Sequence, residues 1–91
     1  MKPKTGMLKT QELLLQQYSN RVIIELDEIA RPLLGLSNRV AKNRAKAGAL
    51  PFPVFKINES AKSPYFVHIS ELAKHIDKCR RLAEKDFIGT N

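Results

Sequence analysis

The chain has a single cysteine, Cys79, among its 91 residues, so no internal disulfide framework exists and the fold is held by packing. No run of about 18 apolar residues is present to cross a bilayer. The opening MKPKTGMLKT has no apolar middle of the kind a signal peptide carries. The expectation is a soluble protein in the cytoplasm. No internal repeat, low-complexity segment, glycine-rich phosphate loop or serine elbow occurs. Acidic residues cluster only as Glu25, Asp27 and Glu28, which suits a helix start better than a catalytic pair. His68, His75 and Cys79 are the metal-ligand candidates, with His75 and Cys79 one helical turn apart. Structural zinc takes four ligands in paired short spacings, and there is no second cysteine. Cys79 is therefore expected in the core and His75 at the surface. No metal, cofactor, small-molecule substrate or catalytic activity is expected.

The most informative shortage is of negative charge. The chain carries 16 Lys and Arg against 9 Asp and Glu, a formal charge of +7. Between Glu28 and Glu59 there is no acidic residue at all, while Arg31, Arg39, Lys42, Arg44, Lys46 and Lys56 fall in that interval. Elsewhere the signs are mixed. A local basic patch on an otherwise balanced surface is the electrostatic footprint of a polyanion binder.

What is present suits one small α+β domain, since a chain of this length buries one modest core. Residues 1–9, with Lys2, Lys4 and Lys9, read as a flexible basic arm. Thr10 is expected to cap a helix running to Tyr18, with Leu14, Leu15 and Tyr18 on one face. Ser19-Asn20 reads as a turn, and Arg21–Leu26 as a short strand. A helical pattern resumes near Leu26, but Pro32 lacks the amide that would bond back to Glu28, so this helix must be short, kinked or ending. Gly35-Leu36 forms a tight turn, Ser37 caps the next helix, and Gly48 stops it. Helix, glycine turn, helix is the punctuation of a helix-turn-helix. Val54–Ile57 and Tyr65–Ile69 read as two strands of a hairpin wing around the polar turn 58–64. Ser70 caps a last helix to about Glu84, with Leu72, Ala73, Ile76, Cys79 and Ala83 as its apolar stripe. The domain is expected over 10–86, followed by a tail at 87–91.

On a helical wheel the segment from Ser37 to Ala47 separates into two faces. Arg39, Lys42, Asn43 and Lys46 share one side. Val40, Ala41, Ala45 and Gly48 share the other, small enough to pack under the preceding helix. Arg and Lys can donate to guanine acceptors, Asn can pair with adenine, and all reach phosphates, so the first face suits a major groove. Exposed helices usually mix charge signs, and this one has no acid. Arg44 falls toward the packed side; its stem is expected to be buried and its head paired with a carboxylate, a carbonyl or a flanking phosphate.

Three runs, QELLLQQYSNRVIIELDEIARPLLGLS, the basic helix, and GALPFPVFKINESAKSPYFVHISELAKHID, together resemble the pyocin activator (PrtN) family of small bacterial and prophage regulators. LPFPVFKI and ESAKSPYFVHISELAKHID are the most specific pieces, and the likeness spans about Thr10 to Leu82. Pro32 departs from the helix-compatible residue expected at its place. The resemblance implies a winged helix-turn-helix-like domain that activates transcription by binding double-stranded DNA. Ser37, Asn38, Arg39, Lys42, Asn43, Arg44 and Lys46 are its implied reading element, and Ser60, Lys62, Ser63 and Tyr65 its wing. A module this small implies a homodimer or cooperative array on DNA, with Leu82, Phe87 and Ile88 as contacts, and RNA polymerase as a further partner. Two alternatives stay open: an excisionase-like factor that bends phage recombination sites, and a protein-interaction module such as an anti-repressor.

Overall fold

The computed structural model describes residues 9–89 of the chain, so residues 1–8 of the expected basic arm lie outside the described residues. Helix α1 is Thr10–Gln17. Its start lies one residue earlier than Thr10 as cap: Lys9 is extended, and the Glu12 carboxylate accepts the Lys9 amide at 3.0 Å. The Thr10 hydroxyl is thereby released to donate to the Asp77 carboxylate at 2.5 Å, tying α1 to the last helix. Ser19 and Asn20 both take left-handed backbone angles, φ 57° and 62°, and reverse the chain.

Strand β1, Ile23–Glu25, leads directly into helix α2, Leu26–Ile29. Glu28 closes the turn between them by accepting the Glu25 amide. Pro32 does not end the helix but widens it, for Ala30–Leu34 form a π-helical turn. Proline has no amide to offer Glu28 and its ring would press on that carbonyl, so the wider turn moves the backbone past both obstacles. Gly35, at φ 68°, closes the turn by donating to the carbonyls of Ala30 and Arg31. Helix α3, Asn38–Lys46, follows at once.

The expected hairpin of 54–57 with 65–69 is reduced to its base. Phe55 and Phe66 form a single bridge, exchanging two backbone hydrogen bonds of 2.9 and 2.7 Å. Strand β2, Phe66–His68, pairs instead with β1, antiparallel, with Ile24 opposite Val67. The reason lies in the side chains: Ile24 and Val67 are fully buried, whereas Phe55 and Ile57 face solvent, so burial rewards the first pairing far more than the second. Pro53 at the edge also has no amide to extend the ladder.

Helix α4 runs over Ile69–Gly89. His68, rather than Ser70, caps it: the imidazole Nδ1 accepts the Ser70 amide at 3.1 Å and lies 2.8 Å from its hydroxyl. The helix passes the expected end at Glu84 because no breaker precedes Gly89. The core lies where α1, α2, the sheet and the first half of α4 meet, around Ile24, Ile29, Val67, Ile69 and Leu72. No described helix is long and apolar enough to cross a membrane.

Candidate nucleic-acid interface

Helix α3 begins where Ser37 leaves the extended conformation, its hydroxyl accepting the Val40 amide at 3.2 Å. This is the expected cap. The helix ends at Ala47 and Gly48, the latter at φ 65°, with the Ala49 amide returning to the Arg44 carbonyl. Only a narrow stripe of α3 meets the rest of the molecule. Ala41 is fully buried and Ala45 half-buried, against α2 and the π-helical turn. Two alanines let the backbones approach closely, and nothing larger is needed to seat the helix.

Asn38, Arg39, Lys42, Asn43, Arg44 and Lys46 are all exposed. None of the four cations in that set forms an ion pair among the described residues. Arg44 corrects an expectation, since its stem is not buried and its head meets no carboxylate. The physical reason is the narrowness of the seat. Val40, one turn before Arg44, is itself 39% exposed, so the flank on which both lie never reaches the core.

The chain leaving α3 is pinned by Phe52, which is buried and meets the His75 ring edge-on at 5.5 Å between centroids. His75 is half-buried there. Cys79, expected in the core, is exposed, with its sulfur 3.6 Å from His75 Nε2. The stripe of α4 passes beyond the domain before it reaches Cys79.

The loop between Phe55 and Phe66 is organised by local hydrogen bonds. Asn58 Oδ1 accepts the Ser60 amide at 2.9 Å, Ser60 Oγ accepts the Lys62 amide at 3.2 Å, and the Ser60 carbonyl accepts the Ser63 amide at 3.0 Å. Such Asx and Ser turns give a loop shape without a ladder. The Lys56 ammonium sits 5.1 Å above the Tyr65 ring and donates to the Ser60 carbonyl, bracing the loop from the sheet side. Ser60 and Lys62 are exposed, Tyr65 is half-buried, and Ser63 is only 5% exposed. Ser63 thus anchors the loop from inside.

The helix and the loop converge. Lys42 of α3, Lys62, Ser63 and Tyr65 of the loop, and Leu26 and Asp27 at the start of α2 line one shallow cleft. Lys42 and Lys62 belong to separate elements in sequence, and the sheet brings them to one face. Asp27, legible only as a helix-start acid, is the one acidic side chain in that lining, and nothing in local spacing sets it beside Lys42. Lys56 was legible only as part of a charge count, although its strand position opposite Tyr65 could have suggested the ring contact.

Arg21 and Glu28 form a two-pronged ion pair of 3.0 and 2.5 Å that joins the strand entry to α2. The Arg21 guanidinium holds the Glu28 carboxyl below its ordinary value, with the Glu25 amide adding to the effect against partial burial. Glu28 in turn raises Arg21.

Among the described residues, no group of three or more His, Cys, Asp or Glu is arranged to hold a metal ion. A family model described as pyocin activator protein PrtN matches residues 10–83. No curated protein and no solved structure matches the chain at a significant level.

Proposed function

The chain belongs to the pyocin activator protein PrtN family, regulators rather than enzymes, and from that premise we propose that it activates transcription by reading double-stranded DNA as a winged helix-turn-helix-like module. The observation that carries this reading is α3, an acid-free helix seated on two alanines with every Arg, Lys and Asn side chain turned to solvent. A helix held by so narrow a seat projects the rest of its circumference, which is what entry into a major groove requires. In this mechanism Arg39, Lys42, Asn43 and Lys46 meet base edges and adjoining phosphates. Arg44, freed from the core, joins them as a phosphate contact on the flank.

The loop acts as the wing. Lys62 and Ser60 meet the backbone beside the groove, and Ser63 and Tyr65 hold the loop in shape rather than touching DNA. Asp27 in the cleft keeps phosphate away from one point of the face, which fixes the register of the rest. Ser37 and Asn38 bring the first amides of α3 toward the backbone.

Binding of the chain to a duplex carrying its target promoter, measured against salt concentration, tests this directly. Arg39→Ala or Asn43→Ala is expected to cost about 1–3 kcal/mol on that duplex and to relax preference at one base position, whereas Lys62→Ala weakens all duplexes alike and flattens the salt slope by about one. Unchanged affinity after replacing Arg39, Lys42 and Asn43 together removes α3 as the reading element. Bending of a recombination site without promoter activation assigns the same face to an architectural factor instead.

A further inference from the structure

The second half of α4 leaves the domain. Leu72 and Ala73 are buried and Ile76 is half-buried, whereas residues 78–87 are exposed throughout. The apolar stripe continues past the point where the packing ends. Cys79 and Ala83 extend the line of Leu72 and Ile76, and Leu82, 52% exposed, stands beside them. A helical segment of this length is marginal in water when nothing covers its apolar side.

The charges around that stripe point to what covers it. Lys78, Leu82 and Asp86 follow one another at intervals of one turn along one edge, and Arg80 and Glu84 do so along the other, 3.2 Å apart within the helix. On these two edges the cations, Lys78 and Arg80, lie on the N-terminal side of Leu82 and the carboxylates, Glu84 and Asp86, on its C-terminal side, while Arg81 and Lys85 fall on the helix side away from Cys79 and Ala83 and Asp77 is taken up by Thr10. Two such helices side by side and antiparallel, related by a two-fold axis at Leu82, set each edge against its own reverse. Lys78 then faces Asp86 of the second copy, Arg80 faces Glu84, Leu82 meets Leu82, and the small Cys79 and Ala83 let the backbones approach. A parallel pair would set like charge on like charge at every one of those positions.

We propose that the projecting half of α4 is a self-association surface, pairing antiparallel with the same segment of a second copy about Leu82. Pairing of the free chain stands independently of DNA reading, and only its strengthening on DNA rests on that reading. The pairing runs over about 15 Å of helix and buries less than a standard interface, so the free dimer is weak and is strengthened where DNA holds two copies close together.

Sedimentation of the full chain over a wide concentration range, free and on DNA, tests the surface. The native chain is expected to pass from monomer to dimer, with Leu82→Glu weakening that step by tenfold or more, on the order of a lost interface anchor. Lys78→Glu alone weakens it, and Lys78→Glu combined with Asp86→Lys restores it. In a Cys79→Ser background, Leu82→Cys is expected to form an intermolecular disulfide on oxidation. All these positions are exposed, so unchanged thermal unfolding of each variant separates lost pairing from lost folding. A chain that stays monomeric at every concentration and on DNA overturns the proposal. So does a dimer indifferent to Leu82→Glu, or oxidation that links native copies through Cys79 while the Leu82→Cys chain fails to link. A strictly monomeric chain whose Leu82→Glu variant loses only polymerase binding assigns the surface to polymerase instead.

Discussion

Arg44 shows how a single position can be misplaced by angle alone. Its place on the wheel lies toward the packed side, and a long cation there would be expected to anchor the helix. The seat of α3 is only as wide as Ala41 and Ala45, and Arg44 stands clear of it. Arg44→Ala is therefore expected to leave the unfolding midpoint in urea almost unchanged, within about 0.5 kcal/mol, while weakening DNA binding in a salt-dependent way. A large loss of stability in that variant would return Arg44 to a structural role. Glu28 carries the opposite lesson, since its charge looked like an ordinary helix-start carboxylate and proves to be held by Arg21. Because folding lowers the Glu28 pKa, the ion pair adds stability fully above the ordinary value of 4.5 and loses it as pH falls through the lower, folded value. The pair is largely solvated, so its contribution is small. Glu28→Gln is expected to lower stability slightly near neutral pH and to match the native chain in strong acid, as compared by urea titration at both.

At the scale of elements, Pro32 and Gly35 together set how α2 hands the chain to α3. Pro32 forces the π-helical turn, and Gly35 reverses the chain with a left-handed backbone that an L side chain adopts at a cost. A methyl group at Gly35 would meet no atom within 4 Å, so the penalty of Gly35→Ala is conformational alone. It is expected to destabilise the domain by about 1 kcal/mol, read as a lower melting temperature without loss of helix content. The Ser37 cap, the glycine stops and the basic helix were legible because each depends on neighbours in sequence, with Ser37, Gly35 and Gly48 acting within a turn of their positions, whereas the caps expected at Thr10 and Ser70 fell to Lys9 and His68. The strand partner was not legible. Val54–Ile57 and Tyr65–Ile69 look alike in composition, and only the burial of Ile24 against Val67, set by the whole core, decides that β2 turns to β1. The end of the core along α4 was hidden for the same reason. Cys79 and Ala83 continue the stripe faultlessly, yet the elements that would cover them stop short. The convergence of Lys42 with Lys62 likewise depends on the sheet, which no local pattern announces.

For the whole molecule, the radius of gyration of 15.3 Å exceeds the about 12 Å of a compact chain of this size, in keeping with a helix that outreaches its domain. Stability rests on a small core, and Ile24 is at its centre. Ile24→Ala is expected to cost about 2–5 kcal/mol, enough to leave much of the chain unfolded at physiological temperature, and DNA binding should fall in proportion to the folded fraction. Proportional loss, measured by binding and circular dichroism on the same samples, distinguishes this effect from damage to the binding face. The pairing of β1 with β2 has one more consequence. It clasps the ends of a single long loop, residues 26–65, that contains α2, α3 and the turn-rich segment before β2 alike. Closing so long a loop is an entropic debt met before the enclosed elements stabilise one another, and it belongs to the slow, non-local part of folding. Opening of that clasp is expected to release α3 and the loop together. Amide exchange across α3 and across β2 should slow together when DNA binds, as one opening unit rather than two.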